Sequence, residues 1–486
     1  MTNNLYQQFL ATAERQPRQA AVIGPRSGTA LSYGELNEAI VRASEWLRTA
    51  GVRPGDCVGL HYPSTPQYII YTYAIWRCGG SVVPIPPELT APEKREICRC
   101  LALDCVITSP AKSEFLDEFR SGNGAAKAGD ALVRIESPRQ HPAGFREVNA
   151  AFIRFTSGTT GSSKGVVLSH ETIGERIAAA NVTLGLSPAD RVLWVLSMSY
   201  HFTVSIVAYL TYGATIVLPP NHFAAAIVSA IREHQATLLY ASPMHYSLLA
   251  DYPQATPLPS LRLAISTTSS LDERVAADFH GRYGRPISQA LGIIEAGLPC
   301  IHVDATPNRW ASVGRVLPPY QLRLEDTGLG ADLKEVLLCG PGFLDAYYDP
   351  WQTRREIMPG GWFRTGDVGH IDAQGYLHLA GRTKDVINVM GMKFFPHEVE
   401  RVLAAHPHVR AASVFSGRDP RWGERVHARI VASDPAAASG GPAADLERQL
   451  RHYCQQRLAS YKVPERIEFV AALPQTASGK ILHRAI

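Results

Sequence analysis

The feature that most constrains this chain is a stretch at residues 153–170, where an apolar segment runs into a loop of glycines and hydroxyl side chains. From Ser157 to Gly165 there are three glycines, four further hydroxyl residues and a single lysine, Lys164. Glycines let backbone N–H groups close round an anion, hydroxyls add donors, and the lysine adds a positive charge. The stretch therefore predicts a phosphate-binding loop. The alternative is a flexible surface turn, which most segments of this composition are.

The spacing within this loop narrows the kind of phosphate chemistry. A P-loop NTPase requires Gly-x-x-x-x-Gly-Lys-Ser/Thr, but here Lys164 follows Ser163 and precedes Gly165, so the pattern fails at two positions. The order instead resembles the signature loop of the adenylate-forming superfamily, which includes acyl-CoA synthetases, luciferases and the adenylation domains of peptide synthetases.

Length and composition are those of a globular protein with several domains. The chain has 486 residues, about three domain-sized units, with 45% hydrophobic and 19% charged residues. Its net charge of +4 gives no indication that the protein binds nucleic acid. Residues 1–20 lack a signal-peptide core, and the longest apolar run, Val204 to Leu218, is too short to span a bilayer. We therefore expect a cytoplasmic protein with no membrane span and with its eight cysteines reduced.

The order of predicted elements indicates an α/β fold. Strands and helices alternate to about residue 300, which predicts wound parallel sheets, and Ser32 with Glu35 predicts a capping box. Short strands around later glycines predict a β-rich subdomain, and the chain from about Arg382 onward is a compact unit of about 100 residues. The prediction is a large N-terminal domain, residues 1–383, of wound α/β sheets with this subdomain, and a small mobile α+β lid domain, residues 384–486.

Four later segments resemble the motifs of the same superfamily and occur in the expected order. They are Gly361–Asp367, Gly381–Asp385, Asn388–Glu400 and Pro474–Lys480, the last closed by Arg484. Each alone is a weak match, but in series with the loop they are specific, and together they extend the resemblance over essentially the whole chain.

The resemblance implies an enzyme in which a carboxylate attacks the α-phosphate of ATP and pyrophosphate leaves, so that catalysis is positioning plus charge neutralisation. Glu295 would ligate Mg²⁺. Lys480 would bridge the substrate carboxylate and the α-phosphate or a ribose oxygen, although a Gly-Lys near a C-terminus is otherwise a solvated lysine. The nucleotide site implied in this way comprises Thr156, Ser157, Gly158, Thr159, Thr160, Gly161, Lys164, Ser269, Asp367, Arg382 and Lys480.

Asp367 would accept hydrogen bonds from the ribose hydroxyls with Arg382 nearby; on residues alone, an aspartate at a Gly-Asp turn is more often only a turn residue. Lys384 matches the hinge of the superfamily, with a plain surface lysine as the alternative. Rotation there would withdraw Lys480 and bring in the loop of a thiol tunnel. That loop comprises Gly391, Met392 and Lys393.

Two segments depart from the superfamily pattern. Leu291-Gly-Ile-Ile-Glu295 stands where Tyr-Gly-x-Thr-Glu is usual, so an aromatic partner for adenine and a hydroxyl are absent. The stretch from Ser266 to Ser270 replaces a Gly/Ala-rich stretch and would narrow the pocket.

The segment from Ser197 to Val204 resembles the substrate side of the superfamily, and His201 matches the histidine of the acyl- and aryl-CoA ligase branches. The resemblance therefore implies His201 as a third catalytic residue beside Lys480 and Glu295. No aspartate occurs between Ser197 and Thr211, which argues against an α-amino acid. A small aromatic acid such as a hydroxybenzoate would suit the pocket, with a medium-chain acyl group as competitor and a buried aromatic cluster without a ligand role as a further alternative. The residues predicted to form the pocket are Tyr200, His201, Phe202, Thr267, Ser269, Leu291 and Gly292.

The acceptor would be a thiol, either coenzyme A or the phosphopantetheine of an acyl carrier protein acting in trans. The resulting prediction is an ATP- and Mg²⁺-dependent acid–thiol ligase. An acyl-adenylate or nucleotide-binding protein without turnover and a luciferase-like oxygenase are the alternatives.

Overall fold

The computed structural model describes residues 4–25, 30–109, 112–121, 125–127, 129–136, 139–156, 164–303, 309–328, 333–389, 392–419, 423–438 and 440–474. The chain divides into two compact units. The first comprises residues 1–321 and 339–362, and the second comprises residues 322–338 and 363–486. The boundary that the sequence predicts between residues 383 and 384 falls within the second unit and stays a prediction.

The helices within the described ranges begin with α1, where Asn4 caps the first turn by accepting from Tyr6 N. The predicted capping box of Ser32 and Glu35 is present at the start of α2. The helices are α1 Leu5–Arg15, α2 Tyr33–Thr49, α3 Pro66–Arg77, α4 Ala91–Cys100, α5 His170–Leu184, α6 Met198–His201, α7 Ile206–Thr211, α8 Ala224–Glu233, α9 Pro243–Ala250, α10 Glu273–Tyr283, α11 Arg354–Ile357, α12 Pro396–Ala404 and α13 Gly440–Gln455.

The strands follow the predicted alternation with helices as far as residue 300 and are then mostly antiparallel. They are β1 Ala20–Ile23, β2 Ala30–Ser32, β3 Cys57–His61, β4 Ser81–Pro84, β5 Cys105–Thr108, β6 Ala125–Lys127, β7 Asp130–Arg134, β8 Ala150–Thr156, β9 Lys164–Ser169, β10 Arg191–Trp194, β11 Thr215–Val217, β12 Leu238–Ala241, β13 Leu263–Ser266, β14 Ile287–Ile293, β15 Gly297–Ile301, β16 Arg315–Val316, β17 Gln321–Asp326, β18 Lys334–Cys339, β19 Ala346–Tyr347, β20 Gln352–Thr353, β21 Phe363–Ile371, β22 Leu377–Arg382, β23 Ile387–Val389, β24 Met392–Phe394, β25 Val409–Asp419, β26 Gly423–Ala432 and β27 Arg466–Phe469.

The first unit is built on two nine-stranded sheets. One has the order β16-β15-β14-β13-β12-β10-β11-β1-β2 and the other has the order β20-β19-β9-β8-β4-β3-β5-β7-β6. The central strands of each sheet are parallel, and parallel strands covered on both faces need continuous apolar sequence. β3, β4 and β5 are accordingly buried along their whole length. The predicted wound α/β architecture is confirmed.

The second unit contains most of the four-stranded sheet β17-β18-β21-β22, which is the predicted β-rich region, together with the hairpin β23–β24 and the three-stranded sheet β25-β26-β27. Its own hydrophobic core lies between α12, α13 and the last sheet. A separate core is what a small C-terminal α+β unit requires.

In the parts of the chain that the structure describes, no helix is both long enough and apolar enough to cross a membrane. All eight cysteines are free thiols. Burial raises the pKa of Cys98, Cys105 and Cys300 to about 12, so these thiols are protonated and chemically inert at neutral pH.

Candidate active site

The predicted phosphate loop connects two strands of one antiparallel hairpin. β8 and β9 pair along their length, and the last pair of the ladder is Thr156 with Lys164. The segment of the loop from Ser157 to Ser163 lies outside the described residues, and with it the predicted residues Ser157, Gly158, Thr159, Thr160 and Gly161. The hairpin differs from a P-loop, in which the loop leads from a strand into a helix.

Tyr347 of β19 links the predicted phosphate-loop lysine to the predicted metal ligand. Its hydroxyl donates to Glu295 Oε1 at 3.1 Å, and the ammonium of Lys164 lies 4.5 Å from the centre of its ring. Burial, and then the negative charge of Glu295, raise the pKa of the Tyr347 hydroxyl, so this hydroxyl stays a donor. Three residues far apart in sequence therefore form one chain of contacts at the carboxyl ends of β8 and β14.

The turn between β14 and β15, which contains Glu295, is held from within the core by Arg176 of α5. Arg176 is 1% exposed, and its guanidinium donates to Gly342 O at 2.6 and 3.0 Å, to Ile294 O at 3.0 Å and to Glu295 O at 3.4 Å. Burial lowers the pKa of Arg176 to about 10, which leaves it charged at neutral pH. Leu344 N also donates to Glu295 O, at 2.7 Å, so both the backbone and the carboxylate of residue 295 are fixed.

The approach of Arg176 to Gly342 depends on glycine. A Cβ at residue 342, where φ is +71°, would lie 2.6 Å from Arg176 Cβ and 2.7 Å from its backbone nitrogen. No side chain fits at that distance, and the positive φ independently favours glycine. Gly342 N in turn donates to the carboxylate of Glu175 at 2.9 Å.

Tyr200, His201 and Phe202, all predicted for the acid pocket, each pack against a different group of residues. Phe202 is 1% exposed and packs on Tyr68, with ring centres 5.6 Å apart, in a core cluster that also contains Tyr73 and Trp76. Tyr200 lies beside Arg154, whose guanidinium carbon is 5.1 Å from its ring centre. His201 faces other aromatic residues, so the structure does not bring these three side chains into one wall.

His201 belongs to an aromatic group on the sheet that contains β10 and β12. Its ring centre lies 6.2 Å from that of Trp194 and 6.3 Å from that of Tyr240, and the rings of Trp194 and Tyr240 stack at 5.4 Å. The indole Nε1–H of Trp194 is buried and has no acceptor among the described residues. Burial raises the pKa of Tyr240 to about 12, and a hydrogen bond with Thr267 opposes the rise.

Thr267 and Gly292, both predicted for the pocket, are neighbours, since a Cβ on Gly292 would lie 3.3 Å from Thr267 Oγ1. Leu291 is 9% exposed on β14, whereas Ser269 is exposed. Thr268, which lies between Thr267 and Ser269 in the sequence, has a φ of +83°, a region that β-branched residues adopt only under strain.

The second unit contains the predicted ribose-binding pair. Asp367 and Arg382 are opposite each other in the β21–β22 ladder, and Arg382 Nε lies 2.9 Å from Asp367 Oδ1. The side chain of Asp367 is 8% exposed and that of Arg382 40%. Thr365 fixes the approach to this pair, because its hydroxyl accepts from Asp367 N at 3.0 Å and donates to Val336 O at 2.7 Å.

The remaining predicted residues are placed as follows. Lys384 is exposed, in a 3₁₀ turn of residues 383–385. Met392 and Lys393 are exposed on β24, whereas Gly391 and Lys480 lie outside the described residues. Thr156 ends β8, and its side chain is outside the description as well.

Sequence reasoning missed Tyr347, Arg176 and Arg154. The one signal for Arg154 was a charged residue inside the otherwise apolar segment before the loop, Ile153-Arg-Phe-Thr156. Arg176 lies on the buried face of α5 with Ile173 and Ile177, where helical periodicity predicts an apolar residue.

Glu295 fits the magnesium ion that the superfamily implies. In the described ranges no three His, Cys, Asp or Glu side chains form a cluster suited to a metal. The carboxylate of Glu295 is partly exposed and accepts one hydrogen bond, which leaves lone pairs for a cation. A single carboxylate that shares the ion with phosphate oxygens is the usual mode for Mg²⁺.

Together, the fold and this site define an adenylate-forming enzyme, and comparisons with known proteins agree. Residues 9–348 match the model of the AMP-binding enzyme family, and residues 398–480 match that of the AMP-binding enzyme C-terminal domain. The chain is similar to a feruloyl-CoA synthase from an Amycolatopsis species, at 30% identity over 97% of this chain and 96% of the relative. It is also similar to an indoleacetate–CoA ligase from Aromatoleum aromaticum, at 29% identity over 96% and 94%.

Among solved structures, the amide bond synthetase McbA from Marinactinospora thermotolerans is similar, with a TM-score of 0.81 and 26% identity over 98% of both chains. The chain belongs to the AMP-binding enzyme family. The predicted superfamily and the predicted enzyme class, an AMP-forming acid–thiol ligase, are confirmed.

Proposed function

We propose that this protein uses ATP and Mg²⁺ to convert a small aromatic acid into an acyl-adenylate, releasing pyrophosphate, and then transfers the acyl group to the thiol of coenzyme A or of a phosphopantetheinylated carrier protein. The observation that supports this most is the contact of Tyr347 with both Lys164 and Glu295. It joins the residue expected to bind phosphate to the residue expected to bind the metal.

In this proposal the protein supplies positioning and charge. Lys164 and the loop before it hold the terminal phosphates, and Tyr347 orients the carboxylate of Glu295. Bound Mg²⁺ would neutralise phosphate charge. Asp367 accepts hydrogen bonds from the ribose, with its carboxylate oriented by Arg382. Lys480 stabilises the charge that develops when the carboxylate oxygen attacks phosphorus and the bond to pyrophosphate breaks.

An aromatic acid is favoured by the aromatic group of His201, Trp194 and Tyr240 beside Thr267. The buried indole N–H of Trp194 gives this group one polar donor that has no acceptor among the described residues, and an oxygen substituent on the acid would satisfy it. The similarity to a feruloyl-CoA synthase and an indoleacetate–CoA ligase supports the same class of acid and supports coenzyme A as the thiol.

The test is pyrophosphate release with Mg-ATP and a panel of ferulate, 4-hydroxybenzoate, indole-3-acetate and octanoate. Each acid is run alone, with coenzyme A, with a phosphopantetheinylated carrier protein, and with an amine, because an amide bond synthetase is among the similar structures. We expect release with an aromatic acid, accelerated by one thiol. Faster release with octanoate would identify a fatty-acid ligase, and acceleration by the amine alone would identify an amide synthetase.

Two variants sharpen this test. Lys480→Met should reduce release about a hundredfold, roughly 3 kcal/mol, and Lys112→Met, at an exposed lysine, should leave it unchanged. Binding of ATP without release from any acid would replace the ligase proposal with a binding protein that does not turn over.

A further inference from the structure

The side chain of Arg154 has no role in the proposed chemistry, although it lies where the reactants of that chemistry would bind. Arg154 is two residues before the end of β8 and therefore close to the start of the phosphate loop. Ligands of open α/β sheets bind beyond the carboxyl ends of the strands, which is the edge where β8 ends. Burial lowers the pKa of Arg154, but an arginine remains charged at neutral pH.

The hydrogen bonds of Arg154 are incomplete. A guanidinium has five N–H donors, and Arg154 donates one hydrogen bond within the described residues, from Nη1 to the backbone carbonyl of Tyr200 at 2.6 Å. Nε is buried and has no acceptor among the described residues. An unpaired buried donor on a charged group is costly, so Nε is a position at which a bound acceptor would be stabilised.

The positive charge of Arg154 is not balanced by an ion pair within the described residues. No described carboxylate forms an ion pair with Arg154; Glu295 acts on it only through longer-range attraction. If Glu295 binds Mg²⁺, its charge is used by the metal, and Arg154 remains a cation without a counter-ion. A desolvated cation of this kind is the usual partner of a carboxylate or phosphate.

We propose that Arg154 binds an oxyanion of the reactants, through Nε and the neighbouring N–H groups, while Nη1 keeps the Tyr200 carbonyl in place. The oxyanion is either the carboxylate of the acid or a phosphate oxygen of ATP, two groups that present the same acceptor chemistry. This inference rests on the proposed function, because it assumes that the reactants bind in the crevice beside Arg154.

The experiment measures binding by isothermal titration calorimetry, with sodium benzoate, ATP and inorganic pyrophosphate as separate probes. The proteins are the parent, Arg154→Gln and Arg154→Lys. The matched control is Arg191→Gln, because Arg191 also donates to a backbone carbonyl, His234 O at 2.8 Å, but is exposed at the opposite end of its strand. Thermal unfolding of each variant checks that it is folded.

We expect Arg154→Gln to weaken the binding of at least one probe tenfold or more and Arg154→Lys to recover part of that loss. Arg191→Gln should leave all three affinities unchanged. If only benzoate binding is lost, the group bound by Arg154 is the carboxylate of the acid. If the binding of ATP and pyrophosphate is lost, that group is a phosphate. If every probe binds the parent and Arg154→Gln within twofold, or if the parent binds none of them, the inference is wrong.

Steady-state kinetics separate this inference from the proposed function. In an active parent, Arg154→Gln should raise the KM of the reactant that lost affinity and leave the other KM within about twofold, whereas a merely smaller fraction of folded enzyme would lower kcat with both KM values unchanged. A parent that releases no pyrophosphate with any acid contradicts the proposed function, but the binding comparison for Arg154 still gives its own answer.

Discussion

Arg176 and Arg154 are both desolvated arginines of the first unit, and they differ in how many acceptors surround them. Arg176 donates to three backbone carbonyls and fixes the Glu295 turn, whereas Arg154 donates to one carbonyl, and its buried Nε has no acceptor in the parts of the chain that the structure describes. The first arrangement is complete within the protein, so it contributes to stability. The second leaves a donor for a bound oxyanion, which is the role that we propose for it.

The largest expected effect tests the stability half of this comparison. Arg176→Met should lower the free energy of unfolding by about 4 kcal/mol, because it leaves the carbonyls of Gly342, Ile294 and Glu295 without donors in the core. Arg154→Gln should cost about 1 kcal/mol, because only one bond is lost or exchanged. Urea unfolding of the two variants checks the difference, and equal losses would contradict it.

The next effect tests what the fixed turn is for. Glu295→Gln keeps an oxygen that can accept from Tyr347 but removes the negative charge, and should lower acid-dependent pyrophosphate release about a hundredfold, or roughly 2.7 kcal/mol. The matched control is Glu175→Gln, because the carboxylate of Glu175 also accepts a hydrogen bond near this turn, from Gly342 N. Similar rates for the two variants would show that the negative charge of Glu295 is not required for pyrophosphate release.

A smaller effect is expected at Tyr347. Tyr347→Phe removes the donor to Glu295 but keeps the ring beside Lys164, and should reduce the rate at limiting Mg²⁺ about fivefold, close to 1 kcal/mol. Tyr347→Leu removes the ring as well and should lower the rate by a further factor of two to five, about 0.5–1 kcal/mol. If the two variants have the same rate, the contact between Lys164 and the ring is without energetic value.

The smallest effect concerns the strained backbone near the pocket. Thr268→Gly should raise the free energy of unfolding by about 0.5 kcal/mol, because relief of strain at φ +83° exceeds the added entropy of glycine in the unfolded chain. Differential scanning calorimetry measures this, with Thr327→Gly as a control at a threonine whose φ is not positive. A lower melting temperature for Thr268→Gly would mean that the strain is absent.

The sequence alone predicts the fold class, the family and the order of the site motifs, because loops such as 157–165 and turns such as Gly366-Asp367 combine residue types that local chemistry explains. It does not predict Tyr347 as a site residue. The contacts that define its role join it to residues 52 and 183 positions away, and the sequence around residue 347 contains no motif that indicates these contacts. Burial of a charged Arg176 on an apolar helix face likewise depends on tertiary carbonyls that no pattern in α5 indicates.

The pocket shows the same limit at closer range. Adjacent residues in a short helical turn point in different directions, so the side chains of Tyr200, His201 and Phe202 contact different elements although the sequence predicts all three for one pocket. Only the backbone path settles which of them can meet a ligand.

The pairing of Thr156 with Lys164 has a thermodynamic consequence for ligand binding. Seven residues separate these two positions, and closing a free loop of that length costs roughly 2 kcal/mol of chain entropy. Because the β8–β9 ladder already joins the ends, that cost is met when the sheet folds. The affinity for a nucleotide is then not reduced by this cost, and mutations that weaken the ladder should weaken nucleotide binding without touching any group that contacts the nucleotide.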